Sequence, residues 1–256
     1  MPVLCLHGLT RNSADFEDVA PALALSGRRV LAIDVRGRGR SSWDSDFSRY
    51  RPDIYASDVL CIFGTLGIDR AVFIGTSMGG LITMLVSALA QQRIAGAVLN
   101  DVGPVINPAG LARIARYVGE AMVFESWEAV AEALCRMQGT QFPKADAAFW
   151  LRMARRAARE KDGRIVLDYD PAIAKALPPS GTAAPDLRPL FHSLMQSPIL
   201  VVRGALSDIL AAEGVAAMRE MKPDLDYVQV SDVGHAPTLE EPSAGEALAN
   251  FLRRIP

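Results

Sequence analysis

Short apolar runs alternate along this chain with longer segments whose apolar residues recur at helical spacing. Residues 3–6, 71–74 and 199–202 read VLCL, AVFI and ILVV, and residues 53–66 are one of the helical segments. Continuous apolar runs of this length are typical of strands buried on both faces of a parallel sheet. Strands alternating with helices favour right-handed crossovers. The sequence therefore predicts an α/β fold with a doubly wound, mostly parallel sheet.

One region interrupts this alternation. Between Pro104 and Leu190 the chain shows helical patterns, and Gly103-Pro104 marks its start. A helical cap inserted between two strands of the sheet would produce such a pattern. We therefore predict a cap subdomain over 104–190 and a core domain built from 1–103 and 191–256.

Composition excludes several classes of protein. The 256 residues carry a net charge of -2 and are 50% hydrophobic, which argues against disorder and against a nucleic-acid partner. The three cysteines, Cys5, Cys61 and Cys135, lack metal-ligand or disulfide-scaffold spacing, which indicates a reduced compartment and no metal. The chain shows neither a secretion signal nor an apolar stretch of bilayer length. We expect a cytoplasmic protein that does not bind membranes.

The strongest local signal is a turn of small residues around a serine. Gly75-Thr76-Ser77-Met78-Gly79-Gly80 follows the AVFI run and opens an apolar helical segment. A serine at such a sharp strand-to-helix turn projects its hydroxyl above the sheet, while the small residues around it let strand and helix approach closely. Ser77 is therefore the predicted nucleophile.

A second turn follows the first apolar run at His7-Gly8-Leu9. Glycine lets the backbone turn so that an N–H group points toward a developing oxyanion. The predicted donors are the backbone N–H groups of Leu9 and Met78. His7 itself is interpreted as a buried histidine whose hydrogen bonds are structural.

A nucleophilic serine requires a base and an acid. Of the three histidines, His235 follows a late apolar run, whereas His192 lies in an amphipathic segment and His7 in the first turn. Two acids follow strand ends, Asp101 and Asp208. We favour Asp208, which lies one loop beyond a late strand, because the acid of a triad must reach Nδ1 of a histidine several strands away from Ser77. Asp101 remains the competing candidate.

These motifs resemble the α/β-hydrolase superfamily, in its capped, serine-nucleophile, esterase- or lactonase-like branch. The resemblance is carried by His7-Gly8, the segment 34–41 (DVRGRGRS), the Ser77 turn, Asp208 and Gly234-His235. It implies a sheet of eight strands with the nucleophile after the fifth and a cap after the sixth. The first two strands have no counterpart in this sequence, so either the natural protein begins upstream of Met1 or the sheet has six strands. An exposed sheet edge would then favour a homo-oligomer.

The resemblance also implies a function. We expect hydrolysis of a carboxylic ester or lactone of a small to medium, largely apolar substrate through an acyl-enzyme, without a cofactor. Two alternatives remain: C–C bond hydrolysis of meta-cleavage-type diketo acids, and a non-catalytic ligand-binding member of the fold. The cap is expected to supply apolar residues to the substrate pocket, with Tyr117, Met122, Phe124 and Trp127 as candidates.

Overall fold

The computed structural model describes residues 1–179, 182 and 185–256. Strands and helices alternate along most of this length. The strands are β1 Val3–Leu6, β2 Val30–Ile33, β3 Ala71–Thr76, β4 Ile94–Asn100, β5 Val123–Phe124, β6 Ala158–Lys161, β7 Arg164–Leu167, β8 Ile199–Gly204 and β9 Asp226–Val230. The α-helices are α1 Val19–Leu25, α2 Pro52–Leu66, α3 Met78–Ala90, α4 Pro108–Ala115, α5 Trp127–Gln138, α6 Ala147–Ala157, α7 Arg188–Ser193, α8 Ala212–Met221 and α9 Pro242–Arg253.

Six strands form one parallel sheet in the order β2-β1-β3-β4-β8-β9. Every residue of β1, β4 and β8 is buried. This burial explains why those segments are continuously apolar in the sequence instead of alternating with polar residues. The prediction of an α/β fold with a doubly wound, mostly parallel sheet of six strands is confirmed.

Helices cover both faces of this sheet. On one face α2, α3 and α8 pack Phe63, Ile82 and Met218 onto strand residues such as Phe73. On the other face α1 and α9 pack onto the side chains that alternate with these, in a cluster that includes Phe251. Each central strand therefore contributes to two hydrophobic clusters, which fix the direction of its carboxyl end.

The segment between β4 and β8 is not entirely helical. It contains α4 to α7 together with a small antiparallel sheet in the order β5-β7-β6. Strands β6 and β7 are joined by Asp162-Gly163, whose φ angles of 51° and 74° are the positive values that a two-residue hairpin turn requires. The chain changes from helix to strand between Ala157 and Ala158, so the predicted helical pattern of the cap range is interrupted by β6 and β7. The division into cap and core stays a prediction, and residues 180, 181, 183 and 184 of the cap range lie outside the described residues.

The residues after β7 contact the loop that follows β2. The Gly39 N–H donates to the Asp168 carbonyl over 3.0 Å, and the Asp170 N–H donates to the Gly37 carbonyl over 2.8 Å. These backbone bonds join the segment between β4 and β8 to the loop at the carboxyl end of β2, on the side of the sheet where ligands of such folds bind.

The outer strand β2 is half-buried and pairs with β1. Within the described ranges no strand pairs with its other edge. Association through this edge stays a prediction. Among the residues described, no helix has the length and apolar composition needed to cross a membrane.

Candidate active site

Ser77 occupies the sharp turn between β3 and α3. Its φ of 52° and ψ of -113° are unusual for a residue with a side chain and are typical of strained functional turns. A Cβ atom on Gly79 would overlap the carbonyl oxygen of Leu6, so a larger residue there would push α3 away from β1. The small residues around Ser77 therefore allow the close packing that leaves its hydroxyl at the top of the sheet.

His235 lies on the loop after β9 and reaches this hydroxyl. Its Nε2 atom is 2.9 Å from Ser77 Oγ. Gln141, from the segment after α5, fixes the loop by two hydrogen bonds. The His235 N–H donates to Gln141 Oε1 over 2.7 Å, and the Gly234 N–H donates to the Gln141 carbonyl over 2.6 Å. The sequence offered no signal for Gln141, because an isolated glutamine in a predicted cap has no recognisable pattern.

The acid that contacts His235 is Asp101. This fully buried residue follows β4 with a φ of 57°, and its Oδ2 atom is 2.7 Å from His235 Nδ1. It also accepts hydrogen bonds from Ser207 Oγ over 2.5 Å and from the Gly204 N–H over 2.9 Å. Three hydrogen-bond partners on its two oxygens satisfy this buried side chain and fix its orientation.

The prediction that Asp208 contacts the histidine is therefore wrong, because the acid at His235 Nδ1 is Asp101. Both Asp208 oxygens accept hydrogen bonds from Arg113 of α4, over 2.6 and 2.8 Å. Burial alone would raise the pKa of the Asp208 carboxyl, but the hydrogen bonds and charge of Arg113 outweigh it and hold that pKa below its ordinary value. Because β4 and β8 are neighbours, both acids end near His235, and only their partners decide which one reaches it.

Two backbone N–H groups are available beside Ser77. The N–H groups of Leu9 and Met78 have no hydrogen-bond partner among the residues that the structure describes. Leu9 and Ser77 both line the cavity at the end of the sheet. Unpaired donors next to a nucleophile are the arrangement that an oxyanion hole requires.

The contacts of His7 agree with a structural role. Its Nε2 atom accepts from the Val35 N–H over 3.0 Å, so Nδ1 carries the proton and donates to the Gly8 carbonyl over 2.7 Å. That carbonyl belongs to the same peptide unit as the Leu9 N–H. Burial lowers the pKa of His7 to about 4, so its ring stays neutral at neutral pH.

A cavity of about 100 Å³ lies beside Ser77 and His235. Tyr117, one of the four predicted cap residues, lines it together with Phe142 and Met153. The other three lie elsewhere. Phe124 and Trp127 pack into the hydrophobic cluster inside the cap, and Met122 is half-buried away from the cavity lining. Phe124 lies on the short strand β5, which pairs with β7, and the helical patterns of the sequence did not predict a strand there.

Charged groups in the cavity wall are paired. Arg11 binds Asp15 by a forked hydrogen bond, and Arg156 of α6 binds Glu240 over 2.6 Å and also Asp18. In the part of the chain that the structure describes, no group of three or more His, Cys, Asp or Glu side chains is arranged to hold a metal ion.

Comparison with known proteins identifies the family. A family model described as the alpha/beta hydrolase fold matches residues 1–242. The chain belongs to this family. Its relatives are named as hydrolases, and the chain is a hydrolase of the alpha/beta fold.

Two curated relatives and one crystal structure are similar over most of their length. The 3-hydroxybutyrate-oligomer hydrolase of Cupriavidus necator is 36% identical over 94% of this chain and 84% of its own length. The 2-(acetamidomethylene)succinate hydrolase of Mesorhizobium japonicum is 29% identical over 98% and 87%. A crystal structure of an alpha/beta hydrolase from Novosphingobium aromaticivorans superposes with a TM-score of 0.93 at 46% identity, over 99% of this chain and 90% of that one.

Proposed function

We propose that this chain is a serine hydrolase that cleaves a carboxylic ester through an acyl-enzyme. The observation that carries the proposal is the continuous hydrogen-bonded series from Ser77 Oγ through His235 to Asp101, with distances of 2.9 and 2.7 Å. Nucleophile, base and orienting acid at hydrogen-bond distance are what acyl transfer by serine requires.

In the first step Ser77 Oγ attacks the ester carbonyl while His235 Nε2 takes its proton. Asp101 accepts the Nδ1–H bond, which holds the ring in the correct tautomer and stabilises the imidazolium that forms. The Leu9 and Met78 N–H groups receive the oxyanion, and each such donor commonly contributes about 3 kcal/mol to the transition state. His235 then protonates the departing alcohol, and the acyl group stays on Ser77.

In the second step water attacks the acyl-enzyme. His235 takes a proton from the water and later returns it to Ser77 Oγ, so the enzyme is regenerated and the carboxylic acid is released. The same two N–H groups stabilise the second oxyanion. We propose that this chemistry needs neither a metal nor an organic cofactor, because every proton transfer has a donor and an acceptor among these residues.

The cavity favours a small acyl group. Its volume of about 100 Å³ accommodates a few heavy atoms, and its wall combines apolar side chains with the paired Arg11 and Asp15. The name of the relative that is 36% identical refers to a 3-hydroxybutyrate oligomer. Esters of short hydroxy acids are therefore the substrate class that we propose.

Labelling with a fluorophosphonate probe, followed by mass spectrometry of the modified peptide, tests the mechanism directly. We expect modification at Ser77 in the wild type and its loss in His235→Ala. Ser77→Ala should lower kcat on p-nitrophenyl acetate by several orders of magnitude. Wild-type protein that is folded but neither labelled nor active on any ester would overturn the proposal.

A substrate panel separates the alternatives. Esters of acetate, butyrate and decanoate test the size of the acyl site, and a 3-hydroxybutyrate dimer tests the hydroxy-acid class. A γ-lactone tests the hypothesis of lactone hydrolysis. A meta-cleavage diketo acid tests the hypothesis of C–C bond hydrolysis. Binding of several compounds without turnover would instead indicate a ligand-binding member of the fold.

A further inference from the structure

One buried cation lies behind the oxyanion hole and has no place in the triad mechanism. Arg38, from the loop after β2, is among the largest side chains that are fully buried. Within the described part of the chain, no carboxylate forms an ion pair with its guanidinium. A buried charge without a direct ion pair is costly, so its surroundings must compensate for the lost hydration.

The contacts of this guanidinium converge on the two residues whose N–H groups are free. Its Nε atom donates to the Leu9 carbonyl over 2.9 Å, and its Nη2 atom lies 3.6 Å from the sulfur of Met78. Nη1 donates to the Arg36 carbonyl and to the Tyr55 hydroxyl, both over 2.8 Å. The Tyr55 ring also lies 4.9 Å from the guanidinium carbon, a distance at which a cation and an aromatic face attract each other.

We propose that Arg38 is a positioning residue of the oxyanion hole, which it fixes through Leu9 and Met78 and beside which it places a permanent positive charge. The charge-assisted bond to the Leu9 carbonyl fixes the peptide that follows the Leu9 N–H. The contact with Met78 restrains the residue that offers the second N–H. The planar guanidinium group of Arg38 therefore holds both donors in place before the substrate binds.

The charge adds to this geometric effect. Electrostatic stabilisation of a transition state is strongest where the charge is already oriented and water is excluded. The developing oxyanion forms next to two residues that the buried guanidinium contacts, so it experiences a favourable potential that screening by solvent reduces little. This role rests on the proposed serine mechanism, because only that mechanism develops an oxyanion at this place.

Three variants test the role, with p-nitrophenyl acetate as the substrate and phenylboronic acid as a mimic of the tetrahedral state. Arg38→Met removes the charge and keeps an apolar stem. Arg38→Lys keeps the charge and loses the fork. Arg36→Met is the matched control: Arg36 belongs to the same loop but binds Asp44 and Asp58, away from Leu9 and Met78.

For Arg38→Met we expect kcat to fall about 10- to 100-fold, by analogy with the loss of an oxyanion-hole donor, while KM stays within about twofold. Phenylboronic acid should bind more weakly by a similar factor. Arg38→Lys should lie between Arg38→Met and the wild type. Arg36→Met should lower the melting temperature and leave kcat within about twofold.

A merely structural role gives a different result. It would lower the melting temperature and the folded fraction of Arg38→Met, but kcat per folded molecule and phenylboronic acid binding would match the wild type. That outcome overturns the proposal. If Arg38→Met does not fold, Arg38→Lys decides, and unchanged kcat and boronate binding in it would overturn the positioning role.

Failure of the serine mechanism is distinguishable from failure of this inference. In the first case the wild type itself is not labelled at Ser77 by a fluorophosphonate. In the second case wild-type labelling and turnover are normal, and Arg38→Met behaves like Arg36→Met.

Discussion

At the scale of single residues, the identity of the acid is decided by its partners. Asp101 and Asp208 both follow strands that end at the same edge of the sheet. Asp101 receives bonds from Ser207 and Gly204 and contacts His235, whereas Asp208 is held by Arg113. Sequence order could not distinguish them, because the α4 residue that binds Asp208 lies far from it in the chain.

Exchanging each acid for its amide tests this assignment. Asp101→Asn should lower kcat on p-nitrophenyl acetate by about 10³- to 10⁴-fold, because an amide cannot stabilise the imidazolium and favours the wrong tautomer. Asp208→Asn is the matched control and should change kcat by less than about tenfold. Equal losses in the two variants, or a larger loss in Asp208→Asn, would contradict the role of Asp101.

At the scale of elements, the segment between α5 and α6 binds the loop that follows β9. Gln141 lies between α5 and α6, yet both its side chain and its backbone bind the loop that carries His235. Lys144 reaches the same loop through an exposed ion pair with Asp232 over 2.7 Å. The two contacts join the same parts of the chain, but only the first involves His235 itself.

Removing these contacts one at a time separates positioning from general stability. In Gln141→Ala the His235 N–H loses its acceptor, so we expect kcat to fall roughly tenfold or more as the ring loses its alignment, with a loss of about 1–2 kcal/mol in unfolding free energy. Lys144→Ala should change both quantities little, because exposed ion pairs contribute about 0–1 kcal/mol. Steady-state kinetics and urea denaturation measure the two effects. Unaltered kcat in folded Gln141→Ala would show that the cap does not position His235.

At the scale of the whole molecule, global stability includes the burial of ionisable groups. His7 is fully buried between β1 and the loop after β2, and burial lowers its pKa from 6.5 to about 4. In the unfolded chain His7 therefore binds a proton below about pH 6.5, whereas in the folded protein it binds one only below about pH 4. Stability from this residue is complete above pH 6.5 and is lost as the pH falls through that window.

The loss should approach about 3 kcal/mol between pH 6.5 and pH 4, since each pKa unit corresponds to about 1.4 kcal/mol. Urea denaturation at a series of pH values gives the unfolding free energy of the wild type and of His7→Asn. The difference between their slopes against pH measures the contribution of His7. His7→Asn should be less stable at pH 7 but less sensitive to acid. His192→Asn is the control, because His192 is exposed and should leave the wild-type slope unchanged. Parallel pH profiles for wild type and His7→Asn would refute this account.

The sequence by itself determined the elements whose causes are local. Continuous apolar runs specified the parallel sheet, and small residues around Ser77 specified the strand-to-helix turn, because backbone sterics and periodicity act over a few neighbouring residues. His235 could be selected because it was the one histidine that followed a late apolar run.

Tertiary structure decided the contacts between residues far apart in the chain. The pairing of β4 with β8 brings Asp101 and Asp208 to one edge of the sheet, and Arg113 of α4 forms an ion pair with Asp208. The antiparallel strands of the cap turned Phe124 and Trp127 inward, away from the cavity. Arg38 contacts Leu9 and Met78 because the segments that follow β1, β2 and β3 all lie at the carboxyl end of the sheet. Such contacts depend on packing across the whole domain, so the pattern of residues along the chain does not predict them.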